Sequence, residues 1–117
     1  MAKIYCDGAG WSGDCCKYAI AIDDKEPEIT RLDEYHTSNE MEYQAVYSAA
    51  CRAQTGDTIL TDSQLVVNQV HGLWKVRHAK FLPTVSAIRA LMRNKRLNLK
   101  WVRRNENKAG IALEKDK

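Results

Sequence analysis

Three apolar-rich runs, residues 2–7, 18–22 and 29–35, are separated by short polar joints. Runs of this length bounded by turn residues predict strands. Gly8, Gly10 and Gly13 supply the first turn and Asp23-Asp24-Lys25-Glu26-Pro27 the second, so the three strands form an antiparallel meander. From Asn39 the period changes. Met41, Ala45, Val46, Ala49, Ala50 and Ala53 recur at helical spacing, with Thr37 as N-cap, Glu40 as its capping-box partner and Gly56 as the stop. A β-branched strand follows at 58–61, then a short helix at 63–71 ended by Gly72. Pro83 opens a helix over 84–93, whose stripe Val85, Ile88, Leu91 and Met92 belongs to the core. An alternating strand at 97–102 and a short helix from Asn105 complete the chain. A meander combined with crossover units requires an α/β fold with a mixed sheet.

At 117 residues the chain has room for one domain, 1–117, with one core. No apolar run approaches the ~20 residues of a membrane span, and Met1-Ala2-Lys3 leads straight into a strand, so a cytoplasmic monomer is expected. Cys15 and Cys16 are adjacent and no C-x-x-C pair occurs, so all four cysteines read as thiols, with Cys6 and Cys51 buried. Trp74 and Trp101 are expected to pack, and Trp11 either to stack near a sugar or to cover the rim of the sheet.

Charge divides the chain. Residues 1–62 carry twelve acids and five Lys or Arg, whereas residues 63–105 carry ten Lys or Arg and no acid. A basic half of this kind suits a polyanion. On the acidic half, Asp7 ends the first strand and Asp62 ends the fourth. Glu42 lies in the first turn of the helix, on the stripe that faces the sheet. If the two strands are parallel neighbours, both aspartates leave at one carboxyl edge, where open α/β sheets place ligands, and Glu42 points at the same edge. Three hard oxygen donors suit Mg²⁺ or Mn²⁺, and two such ions can promote in-line displacement at phosphorus. Each aspartate taken alone would as readily cap a turn.

Tyr5-Cys6-Asp7-Gly8, Thr37-Ser38-Asn39-Glu40-Met41-Glu42, Thr61-Asp62-Ser63-Gln64 and the tail from Trp101 to Gly110 together resemble type 1 ribonuclease H. The resemblance implies a five-stranded ribonuclease H-like sheet and hydrolysis of the RNA strand of RNA–DNA hybrids. It further implies that Asp7, Glu42 and Asp62 ligate two divalent ions and that Asn39 and Gln64 contact the hybrid's minor groove. Lys75 and Arg104 would hold phosphate. Two departures stand out. The family's fourth acid falls where this chain has Ala109-Gly110, which leaves Asn107, Glu114 or no protein group as the fourth ligand. The loop before that helix carries Arg103 and Arg104 in place of a histidine, and a guanidinium cannot accept a proton at neutral pH. The rivals to a hybrid endonuclease are another nuclease on the same fold and a catalytically weak or inactive hybrid-binding module.

Overall fold

Ile4, Cys6 and Ile20 on neighbouring strands turn their side chains to one face of a sheet, and the residues between them turn to the other. In the computed structural model, which describes residues 1–116, five strands form that sheet: β1 (Lys3–Ala9), β2 (Cys16–Ile22), β3 (Glu28–Leu32), β4 (Thr58–Thr61) and β5 (Asn98–Trp101). Their order is β3-β2-β1-β4-β5. The first three pair antiparallel, while β1–β4 and β4–β5 pair parallel, so the sheet is mixed as expected.

Four helices cover it: α1 (Ser38–Arg52), α2 (Gln64–Val70), α3 (Leu82–Lys95) and α4 (Lys108–Lys115). The main core packs Ile4, Ile59 and Leu99 of the sheet against Val46 and Ala49 of α1, Val66 of α2 and Ile88 of α3. A smaller cluster of Ala19, Ala21, Ala109 and Leu113 seats α4 on the opposite face. Small residues on both sides let that short helix lie close to the strands. Among the described residues no helix is long and apolar enough to cross a membrane.

The ends of the elements depart from the sequence reading for identifiable reasons. The capping box is present, with Glu40 N–H donating to Thr37 Oγ1 at 3.2 Å and Thr37 N–H donating to Glu40 Oε1 at 2.8 Å. At its other end, α1 finishes at Arg52, before Gly56. Lys95 reaches across from α3 and donates to the carbonyls of Ala50, Cys51 and Ala53, each at 2.9 Å, satisfying the end of the helix by a tertiary contact. Gly56 instead occupies a left-handed turn at φ +87°. α3 starts one residue ahead of Pro83, which fits its first turn because no N–H is needed there. Arg104–Glu106 form a 3-10 turn before α4, so the last helix starts three residues later than Asn105.

Cys6 is buried as expected, but Cys51 is exposed and Cys16 takes the second buried position. Cys16 Sγ lies beside the carbonyls of Glu34 and His36 and accepts the His36 N–H at 3.2 Å. Trp74 is 47% exposed rather than packed.

Candidate active site

β1 and β4 run parallel with Tyr5 opposite Leu60. Carried two residues further, that register sets Asp7 level with Asp62 at the carboxyl edge of two central strands. β1 extends past Asp7 to Ala9, so the Asp7 side chain leaves from within the strand and is only 5% exposed. Asp62 is held from its backbone: the indole N–H of Trp101, last in β5, donates to the Asp62 carbonyl at 3.1 Å. Trp101 is thus a brace for this edge, and its ring is 44% exposed instead of packed.

Glu42 reaches the same edge because α1 comes unusually close to β1. A Cβ on Gly8 would stand 2.3 Å from the backbone C and O of Met41 and 2.7 Å from the Glu42 nitrogen, distances only glycine tolerates. Gly10 is constrained in the same way by Ser38, with 2.6 Å to its backbone nitrogen. These two glycines are therefore close-approach residues; Gly13, at φ +108°, serves the turn. Asp7, Glu42, Ser38, Arg104 and Glu114 line one cleft.

The three acids disturb one another. Burial lifts the Asp7 carboxyl from 3.8 to about 7, reinforced by Asp62 and Glu42 and opposed by Arg104 and the Gly8 N–H. Burial raises Glu42 as well, with Asp62 adding to the effect and the Ser63 hydroxyl and Arg104 working against it. The Cys6 thiol beside them is pushed far up by burial and by the three carboxylates, so it stays a protonated, inert side chain. A cation placed in the cleft would relieve this repulsion. The donors are hard oxygens, the chemistry Mg²⁺ and Mn²⁺ prefer. Among the described residues no three His, Cys, Asp or Glu side chains already close on a single point, so the carboxylates would have to turn together onto an ion.

At the fourth position the structure is specific. Asn107 is fully buried and caps α4: its Oδ1 accepts from Ala109 N–H at 3.1 Å and Gly110 N–H at 3.4 Å. Its Nδ2 donates to the Cys6 carbonyl at 3.0 Å and faces Asp62 Oδ2 at 3.4 Å. The amide thus presents hydrogens, not oxygen, to the acids, and the expected ligand oxygen is occupied by the helix. Gly110 lies directly against them. A Cβ there would be 3.3 Å from Asp7 Oδ2 and 3.4 Å from Asp62 Oδ2. One turn further on, Glu114 accepts from Arg104 Nε at 3.1 Å, and Arg104 Nη1 stands 4.0 Å from Asp62 Oδ2.

The substrate-side residues fall in two places. Asn39, second in α1, shares a groove with Gln69, Trp74, Lys75, Arg77 and Phe81. Gln64 opens α2 next to Ser63, exposed and near the acids along the chain. Among the described basic residues, Arg104 alone lines the acid cleft. The roles of Gly8, Gly10 and Trp101 escaped sequence reasoning. An Asp-Gly pair at the end of an apolar run was the available signal, and it has the appearance of an ordinary turn.

Comparison with known proteins agrees with this arrangement. The RNase H family model matches residues 1–110. The Bifunctional protein Rv2228c of Mycobacterium tuberculosis is 34% identical over 85 residues; the match takes in 68% of this chain but only 23% of that protein, so the chain spans about a quarter of its curated relative. Among solved structures, the N-terminal RNase H domain of that mycobacterial protein, solved as a fusion with maltose-binding protein, superposes with a TM-score of 0.77 at 25% identity, covering 91% of this chain and 84% of the other. RNase H1 of the halophilic archaeon Halobacterium salinarum gives a TM-score of 0.82 at 20% identity, over 96% and 92%. LC11-RNase H1 in complex with an RNA/DNA hybrid gives 0.78 at 20% identity, over 97% and 93%. With a family match running nearly end to end and the same fold in each neighbour, the chain belongs to the RNase H family.

Proposed function

We propose that this protein is an endonuclease that hydrolyses the RNA strand of RNA–DNA hybrids, acting as a single-domain cytoplasmic monomer. The observation that carries the reading is that Asp7 and Asp62 share the carboxyl edge of parallel strands β1 and β4 and that Glu42 lines the cleft with Asp7, in an RNase H-family chain. Asp7, Glu42 and Asp62 would hold two divalent ions, Mg²⁺ or Mn²⁺. When bound, such ions activate water for attack on phosphorus and balance charge on the departing oxygen.

The chain's own residues do the rest. Asn39 on α1 and Gln64 opening α2 would contact the hybrid's minor groove, where shape and 2′-hydroxyls are recognised. Lys75, in the groove it shares with Asn39, and Arg104, at the acid cleft, would bind phosphate. Asn107 positions Asp62 and β1 through its donated hydrogens and ligates nothing itself. The solved complex of LC11-RNase H1 with an RNA/DNA hybrid supports the substrate class. The test is cleavage of a labelled hybrid with Mg²⁺ or Mn²⁺, beside duplex DNA and duplex RNA. Cleavage of the RNA strand in the hybrid alone is the expected result; equal cleavage of duplex DNA would point to another nuclease on this fold.

A second reading is a hybrid-binding module with weak or no cleavage. Gly110 favours it, because no side chain completes the acid cluster opposite Asp7 and Asp62. Tight hybrid binding without cleavage at saturating Mn²⁺ would select it.

A further inference from the structure

The geometry points to Arg104 as a resident counter-ion of the acid cleft, anchored by Glu114, which competes with the divalent cation for the same carboxylates. The inference rests on the proposed metal site and adds to it a device made from this chain's own residues.

Four observations carry it. Arg104 sits in the 3-10 turn between β5 and α4, at the mouth of the cleft that Asp7 and Glu42 line. Its Nη1 is 4.0 Å from Asp62 Oδ2, within ion-pair reach of an acid at the edge Asp7 shares. Its Nε is tied to Glu114 Oε1 at 3.1 Å, so the guanidinium is held at the cleft from the far side. Finally, Gly110 puts no side chain of its own against Asp7 and Asp62, so α4 supplies no competing group at that point.

A fixed positive charge within ~5 Å of the carboxylates lowers their attraction for any further cation. The guanidinium stays charged at every accessible pH, so the competition does not switch off. Because its side chain is 66% exposed, the effect is moderate and sensitive to salt. A divalent ion held by the carboxylates would displace Arg104 from Asp62 and free its guanidinium for substrate phosphate. The same residue thus guards the acids before substrate comes and grips phosphate once it has.

The experiment is calorimetric titration of the substrate-free protein with MnCl₂ and with MgCl₂ at low ionic strength. Arg104→Gln should bind Mn²⁺ about three- to tenfold more tightly than the unaltered protein. Lys25→Gln, the same charge change in the β2–β3 turn, should alter the Kd less than about twofold at that distance. Thermal melts in EDTA give a second readout: Arg104→Gln should melt lower than the unaltered protein at pH 8 and gain more on addition of Mn²⁺. The double variant Arg104→Gln/Glu114→Gln should bind Mn²⁺ as Arg104→Gln does, since Glu114 acts through Arg104. Unchanged or weaker Mn²⁺ binding by Arg104→Gln overturns the counter-ion assignment. A double variant that binds markedly more weakly than Arg104→Gln shows Glu114 ligating directly and overturns its role as anchor. Failure of the unaltered protein and of every variant to bind either cation at millimolar concentration overturns the proposed metal site, and the competition with it. Those failures are distinguishable, because only the last removes binding from every variant.

Discussion

Asn107 Nδ2 donates to the carbonyl of Cys6 at 3.0 Å, tying the first turn of α4 to the residue that precedes Asp7 in β1. This bond spans nearly the whole chain and sets the distance between the last helix and the first acid. The same side chain caps its own helix through Oδ1, so one buried amide meets four partners around the cleft. Asn107→Ala would leave the Cys6 carbonyl and the cap N–H groups without partners and should cost about 2–3 kcal/mol in denaturant unfolding. Asn107→Asp keeps the cap but sets a carboxylate against a carbonyl and against Asp62. It should be no more stable than Asn107→Ala at pH 8, and a fully stable Asn107→Asp protein would show that the donated bonds matter little.

The three acids can be tested together. Asp7→Asn, Glu42→Gln and Asp62→Asn should each reduce hybrid cleavage by about a hundredfold or more, the scale on which a lost transition-state interaction is felt. Folding should survive all three changes, as judged by circular dichroism. Near-normal turnover in any one of them at saturating Mn²⁺ removes that residue from the ligand set.

Metal-free stability should depend on pH in an unusual direction. Asp7 holds its proton up to about pH 7 in the folded protein, against 3.8 ordinarily, so the native state binds the extra proton between those values. Stability therefore falls as pH rises from about 4 to 7, by an amount on the order of 4 kcal/mol at most, and levels off above. Asp62, Glu42, Arg104 and the Gly8 N–H all face this carboxyl. Melts in EDTA should show the fall, and Asp7→Asn should flatten it. A profile for the unaltered protein that rises over this range would contradict the assignment.

Gly110→Asp adds a carboxylate where a Cβ fits with a shift of a few tenths of an ångström. It should lower the Mg²⁺ concentration needed for half-maximal cleavage, while reducing stability in EDTA through added repulsion. Unchanged Mg²⁺ dependence would mean that the space opposite Asp7 and Asp62 does not reach the bound ions.

Hybrid affinity should fall steeply with salt, because the acid-free stretch from Ser63 to Asn105 is where phosphate contacts would concentrate. Lys75→Glu should weaken binding about equally for all sequences, measured by fluorescence anisotropy. A flat affinity between 50 and 200 mM salt, the interval over which phosphate contacts show most clearly, would exclude that stretch as the platform.

Elements set by local rules were legible from the residues alone. The capping box Thr37–Glu40, the helical stripe after it and the β-branched strand at Thr58–Thr61 each depend on neighbours within a few positions, so the sequence by itself determined them. It also singled out Asp7, Glu42 and Asp62 as candidate ligands, from the apolar runs and the helix stripe that carry them. What tertiary structure decided depends on partners far along the chain. The end of α1 is fixed by Lys95 from α3, and Gly8 is a glycine because Met41 lies against it. Trp101 is exposed because its N–H is engaged by Asp62 rather than by the core, and Asn107 faces Cys6 across 101 residues of sequence. The physical reason is reach: periodicity and capping act over one or two turns, whereas these contacts exist only after the sheet has brought β1, β4 and α4 together.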